Sequence, residues 1–193
     1  MPSRKRSFSL LVVSGKQQSS GLLTAMLGSF SLGQVDSALS AGEAKRKLLQ
    51  CVYDVILVDT PLPDEFGTDF AIDSTQNSHT AVILMVKSDM YDRMCEKVED
   101  FGVLTVSKPI TKDELYKAVK LACAASSRLL NEEKRLAKLQ DKLAETKLVS
   151  KAKFVLVEKK GMSEPEAHRY IEKEAMDSRR SKALVAQEII DGD

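Results

Sequence analysis

Residues 53–67 read YDVILVDTPLPDEFG. The run Val55-Ile56-Leu57-Val58 is short, apolar and mostly β-branched, which predicts a strand covered on both faces. It ends on Asp59, and Pro61 and Pro63 stiffen the loop behind it. In open parallel sheets, chemistry sits beyond the carboxyl ends of the strands. Taken alone, Asp59 reads better as a loop aspartate that caps something local. Outward from this stretch, similar runs predict strands at 9–13, 81–86 and 103–106, with a weaker one near 34–38. Between them, 17–27 carries Leu22, Leu23, Met26 and Leu27 at helical spacing, and 42–50 and 89–100 are further helix candidates. Such alternation predicts an α/β fold with a parallel sheet and right-handed crossovers.

The chain has 193 residues, 43% of them hydrophobic, enough for one medium domain and a small appendage. Trp is absent and aromatics make up 5%, which argues against broad stacking platforms for nucleic acid. With a net charge of +1, any nucleic-acid site must be local. Cys51, Cys95 and Cys123 form no CxxC pair, so reduced thiols are expected and a zinc site is not. The opening MPSRKRSFSLLVVSG is basic and then apolar, but its apolar core, 10–13, is too short for a signal peptide and reads as the first strand. No segment approaches the roughly 20 apolar residues that span a bilayer. The expectation is a soluble, cytoplasmic protein with no membrane partner.

From 110 to 160 there is neither Gly nor Pro. Thr111 and Glu114 form a capping box at its start. Leu115, Val119 and Ala122 follow on one face, and Leu129, Leu136 and Leu143 recur every seven residues with Leu139 between the last two. Two ordinary helices joined at Ser126 and Ser127 would satisfy this pattern. So would one helix of about 75 Å at 1.5 Å per residue, pairing two chains as a short coiled coil. Pairing is the expectation carried forward, although Glu132 and Thr146 are polar where the repeat calls for apolar residues. Beyond it, Leu148, Ala152, Val155 and Leu156 make a helical stripe that Gly161 ends. Ser163 and Glu166 form a second capping box, and Ala167, Tyr170, Ile171 and Ala175 line the next helix. A third, after Asp177 and Ser178, carries Leu184, Val185 and Ile189. Three such short helices need each other, or a partner, to bury their faces.

The run from Asp59 to Gly67 resembles the phosphoacceptor loop of response-regulator receiver domains. That pattern has an apolar residue three after the aspartate, Pro four after it and Gly eight after it, matched by Leu62, Pro63 and Gly67. Forty-nine residues after Asp59, Lys108-Pro109 resembles the family's Lys-Pro pair. The resemblance spans about 7–124 and implies a flavodoxin-like five-stranded parallel sheet. It further implies a phosphoacceptor at Asp59, a lysine at Lys108 that meets the phosphoryl group, a cis Lys108–Pro109 bond, and a sensor kinase or other signalling protein as partner. Departures are concentrated at the switch positions. Ser14, Gly15 and Lys16 stand where receivers place two metal-binding acids, Val86 with Lys87 stands at the hydroxyl switch position, and Thr105 replaces the aromatic one. The expectation is a degenerate receiver in which Lys16, Lys87 or Lys108 puts an ammonium group beside Asp59 in the metal's place. No cofactor is then needed, and Mg²⁺ enters only if Asp59 is phosphorylated; metal-assisted phosphorylation is the alternative.

The tail resembles the ANTAR domain, a three-helix RNA-binding module of transcription antiterminators. Ala152-Lys153, Leu156, Gly161, Ser163 with Ala167, Ala175-Met176, Arg179-Arg180 and Ala186 with Ile189 carry the likeness, with Phe154 standing where many members have Gly. The resemblance implies binding to tandem stem-loops of leader RNA by a homodimer. From Ser150 onward nine Lys or Arg balance nine acids, so unspecific polyanion binding should be weak. The RNA candidates are Lys153, His168, Arg169, Tyr170, Arg179, Arg180 and Lys182, with phosphate contacts from the cations and stacking from Tyr170 or His168; a solvated face and a core tyrosine are the competing readings. The expected order is a receiver-like domain at 1–124, a coiled-coil linker at 125–146 and an ANTAR domain at 147–193, with no enzyme activity.

Overall fold

Strands that are apolar at every position need cover on both sides, and the sheet is built that way. In the computed structural model, which describes residues 6–28, 30, 32–76 and 79–192, five parallel strands lie in the order β2-β1-β3-β4-β5. They are β1 (Leu10–Ser14), β2 (Val35–Ala38), β3 (Val55–Asp59), β4 (Ala81–Lys87) and β5 (Leu104–Lys108). Side chains alternate between two cores. Leu10, Val12, Leu57 and Ile83 pack against α1 (Gln17–Leu27) and the first turns of α5 (Lys112–Lys160). Leu11, Val13, Ile56, Val58 and Leu84 face α2 (Ala41–Leu48), α3 (Thr68–Thr75) and α4 (Tyr91–Val98).

The sequence reading proposed no helix at 68–75. The segment TDFAIDST has few strong helix formers, and its start is set by Gly67, whose φ of 103° admits glycine far more readily than any other residue. A Cβ there would also approach Val58 Cγ1 at 3.2 Å. Phe70 then anchors α3 as a fully buried side chain.

The polar pair Ser126 and Ser127 does not break the chain into two helices: α5 runs unbroken for 49 residues. Ser126 is fully buried, and its hydroxyl lies 3.5 Å from Asp54 Oδ1. Asp54 also pairs with Arg6 and accepts from the Ser9 backbone N–H at 2.8 Å, so the serine adds to a satisfied buried carboxylate. The capping box is formed at the start of α5, where Thr111 N–H and Oγ1 both meet Glu114 Oε2.

Two compact units, Met1–Glu133 and Lys134–Asp193, divide the chain. In the second, the end of α5, α6 (Glu164–Ser178) and α7 (Lys182–Asp191) enclose Ala152, Leu156, Ala167, Ile171, Ala175, Val185 and Ala186. Gly161, at φ 64°, and the Ser163–Glu166 capping box make the turn between the first two. Among the described residues, no helix is long and apolar enough to cross a membrane. Cys51, Cys95 and Cys123 are free thiols.

Candidate functional site

Parallel register brings Ser14, Asp59 and Met85 to one level at the carboxyl edge of the sheet. There Asp59 Oδ1 lies 2.6 Å from Lys108 Nζ, and Oδ2 accepts the Ser14 hydroxyl at 2.8 Å. Lys108 also donates to the Thr60 carbonyl. Both bonds end on the Asp59 carboxylate and are of the stronger, charge-assisted kind. The Lys108–Pro109 peptide is cis, as the resemblance implies, and so is Thr60–Pro61. A cleft of about 630 Å³ opens above, lined by Ser14, Gly15, Lys16, Asp59, Lys87 and Lys108 among others.

Of the three lysines placed near Asp59 by the sequence, only Lys108 touches it; Lys16 and Lys87 line the same cleft and make no ion pair among the described residues. Val86 does not face the site. Alternation along β4 puts Met85 and Lys87 on the cleft side and turns Val86 into the opposite core, so Lys87 stands at the edge position assigned to Val86. Thr105 pairs with Leu84, is buried, and leaves its hydroxyl without a partner. Its strand, β5, pairs with β4 and is not adjacent to β3, which carries Asp59.

Magnesium takes several hard oxygen ligands in near-octahedral geometry. The donor set here is one carboxylate already held by an ammonium and a hydroxyl, with two further lysines on the rim. At Gly15 a Cβ would come within 2.8 Å of Pro63 Cδ, so that position has no room for an acid without movement of the loop. The residues present do not fit the metal.

In the tail, the cations foreseen as an RNA patch are largely engaged. Lys153 pairs with Glu164 at 2.6 Å, Lys182 bonds Glu172, His168 Nε2 lies 3.5 Å from Glu172, and Arg180 meets Glu188. The hydrogen bonds from Lys153 and Lys182 hold the carboxyls of Glu164 and Glu172 below their ordinary range. Arg179 serves a backbone purpose: it adopts φ 54° as the C-cap of α6, a place usually taken by glycine.

A different face of α6 stays open. Glu166, Arg169, Tyr170 and Lys173 line a cleft of about 450 Å³ together with Gly161 and Met162. Lys160 Nζ sits 5.2 Å from the centre of the Tyr170 ring, and Tyr170 is 37% exposed. Arg169 and Lys173 have no carboxylate in ion-pair reach among the described residues. Lys160 and Lys173 were missed by sequence reasoning. The spacing 166, 169, 170, 173 marks one helical stripe and was the available signal.

Comparison with known proteins matches this two-part anatomy. The sequence profile of the response regulator receiver domain matches residues 10–120, and that of the ANTAR domain matches 137–190. The chain belongs to the response regulator receiver family. It carries a C-terminal ANTAR domain, a combination that is regulatory. Transcriptional regulatory protein PdtaR of Mycobacterium tuberculosis is 28% identical over 139 residues, covering 72% of this chain and 67% of that protein. A response regulator receiver domain protein from Clostridium thermocellum has a similar fold, with a TM-score of 0.58, 21% identity and coverage of 63% of this chain and 98% of that one. An adenylate cyclase structure from Rhodopirellula baltica superposes with a TM-score of 0.63 at 18% identity, covering 69% and 99%; at that identity the likeness is one of fold alone. Asp59 and Lys108 lie within the matched region, and residues 14–16, just before α1, include no acid.

Proposed function

We propose that this response regulator is an antitermination factor, not an enzyme, whose ANTAR domain binds paired stem-loops of leader RNA as a homodimer joined through α5. The reading places a degenerate receiver at 1–124, a coiled-coil connector at 125–146 and the RNA module at 147–193. The observation that carries it is the open stripe on α6: an exposed aromatic ring with a cation over it, flanked by an arginine and a lysine that make no ion pair among the described residues. Splayed loop bases are recognised by such stacking surfaces, while cations position the backbone. Gel shifts with a tandem stem-loop RNA test it. Wild type shifts the RNA, and Tyr170→Ala weakens binding by roughly 1–3 kcal/mol, the usual worth of one stacked base. Arg169→Ala/Lys173→Ala lowers the salt slope by about one per lost phosphate contact and weakens binding more than Arg180→Ala/Lys182→Ala, whose side chains are already paired with acids. Absence of any shift with wild type leaves a protein–protein adaptor as the function.

Control of this output does not require a phosphoaspartate or a metal. Asp59 is paired with Lys108 and Ser14, and the cleft around it is lined by lysines with no second carboxylate to hold a metal. Incubation with acetyl phosphate and Mg²⁺ is expected to leave the intact mass unchanged. A stoichiometric gain of one phosphoryl group at Asp59 would instead make the protein a phosphorylation-driven regulator served by a sensor kinase.

A further inference from the structure

The cleft over β3 holds more positive charge than its one carboxylate can use. Both oxygens of Asp59 are engaged, by Lys108 Nζ at 2.6 Å and Ser14 Oγ at 2.8 Å. Lys16 and Lys87 remain on the rim, exposed and without a carboxylate in reach among the described residues. One aspartate against these lysines leaves a surplus of positive charge facing into a concave space of about 630 Å³. That volume lies within the range of small-molecule sites, which run from roughly 300 to 1,000 Å³.

Apart from Ser19 and Thr60, the remaining wall is mostly apolar. Leu22, Leu23 and Met26 of α1 form one side, and Met85, Pro109 and Ile110 close the other. Leu22 is 64% exposed, an apolar side chain left open on the lip of a charged cleft. Bare phosphate would satisfy the lysines and leave this wall wet; a neutral apolar molecule would leave the ammonium groups facing solvent.

We infer that the receiver cleft is a non-covalent binding site for a small amphiphilic anion, its carboxylate or phosphate head between Lys16 and Lys87 and its apolar tail along Leu22, Met26 and Ile110. The inference rests on reading Asp59 as closed by Lys108, since a carboxylate free of its ammonium partner would repel the head. An anion held here bears on α1 and on the residues leading into α5, the two helices that share one core.

Isothermal titration of the full chain at low salt with octyl phosphate, octanoate and inorganic phosphate tests it, and the two organic probes separate the possible heads. The expected result is saturable, one-to-one binding of at least one organic probe, about tenfold or more tighter than inorganic phosphate. Lys16→Ala/Lys87→Ala should abolish it with an unchanged melting temperature, because neither side chain has a partner to lose. Leu22→Asn should weaken the organic probe and leave inorganic phosphate unaffected. No saturation up to roughly 10 mM, or equal affinity in the double variant, overturns the site. Equal affinity for all three probes overturns the apolar tail pocket. Failure here leaves the RNA gel shift untouched. Failure of the closed-Asp59 reading would appear separately, as a phosphoryl group gained on Asp59 by mass.

Discussion

Replacing Leu136, Leu139 and Leu143 together with glutamine is expected to give a monomer by analytical ultracentrifugation and to lower affinity for RNA carrying two stem-loops by roughly 10²–10⁴-fold, the range that tethering contributes. These side chains are 59%, 55% and 57% exposed on a helix that has every other reason to bury apolar surface. None belongs to a core cluster, so their loss costs the single chain little packing. Glutamine matches leucine in helix propensity and adds no charge, which keeps α5 intact and leaves electrostatic attraction to RNA as it was. Affinity for one isolated stem-loop should be unchanged, since each module keeps its own α6 stripe. A wild-type protein that sediments as a monomer, or a triple variant that still dimerises, would remove the coiled coil from the proposal.

Ile171→Ala is expected to abolish RNA binding by a different route. Ile171 is fully buried at the centre of the tail cluster, where Leu156 is the only other large side chain buried as completely. Isoleucine-to-alanine changes in such places cost about 2–5 kcal/mol. The rest of the cluster is mainly alanine and valine, and small cores have little stability in reserve. Differential scanning calorimetry should then show the tail melting far below the receiver, whose own transition is unchanged. Arg169→Ala weakens binding without moving either transition, so the two variants separate folding from contact. Retention of a normal melting profile by Ile171→Ala would mean that the cluster is not what holds the module together.

The sheet was legible because β1, β3 and β4 are apolar at nearly every position, a pattern that only two-sided cover explains. The capping boxes at Thr111 and Ser163 were equally plain, since their partners lie three residues away. The α3 helix was not, because its composition is poor and the glycine that starts it reads as an ordinary loop residue. At the candidate site, the pairing of Asp59 with Lys108 followed from family spacing, whereas which side of β4 faces the cleft depends on register, and a one-residue shift exchanges Val86 for Lys87. In the tail, a list of cations could not reveal which ones already have acidic partners. Lys182 and Glu172 are ten residues apart on different helices, so only their packing makes Lys182 a poor candidate and leaves Arg169 and Lys173 open.

The close approach of Gly15 to the Pro63 ring couples the end of β1 to the loop behind Asp59. A Cβ added at position 15 would stand 2.8 Å from Pro63 Cδ, and Ser14 is fully buried beside Asp59. A larger side chain at either position therefore requires the loop behind Asp59 or the edge of β1 to shift with it.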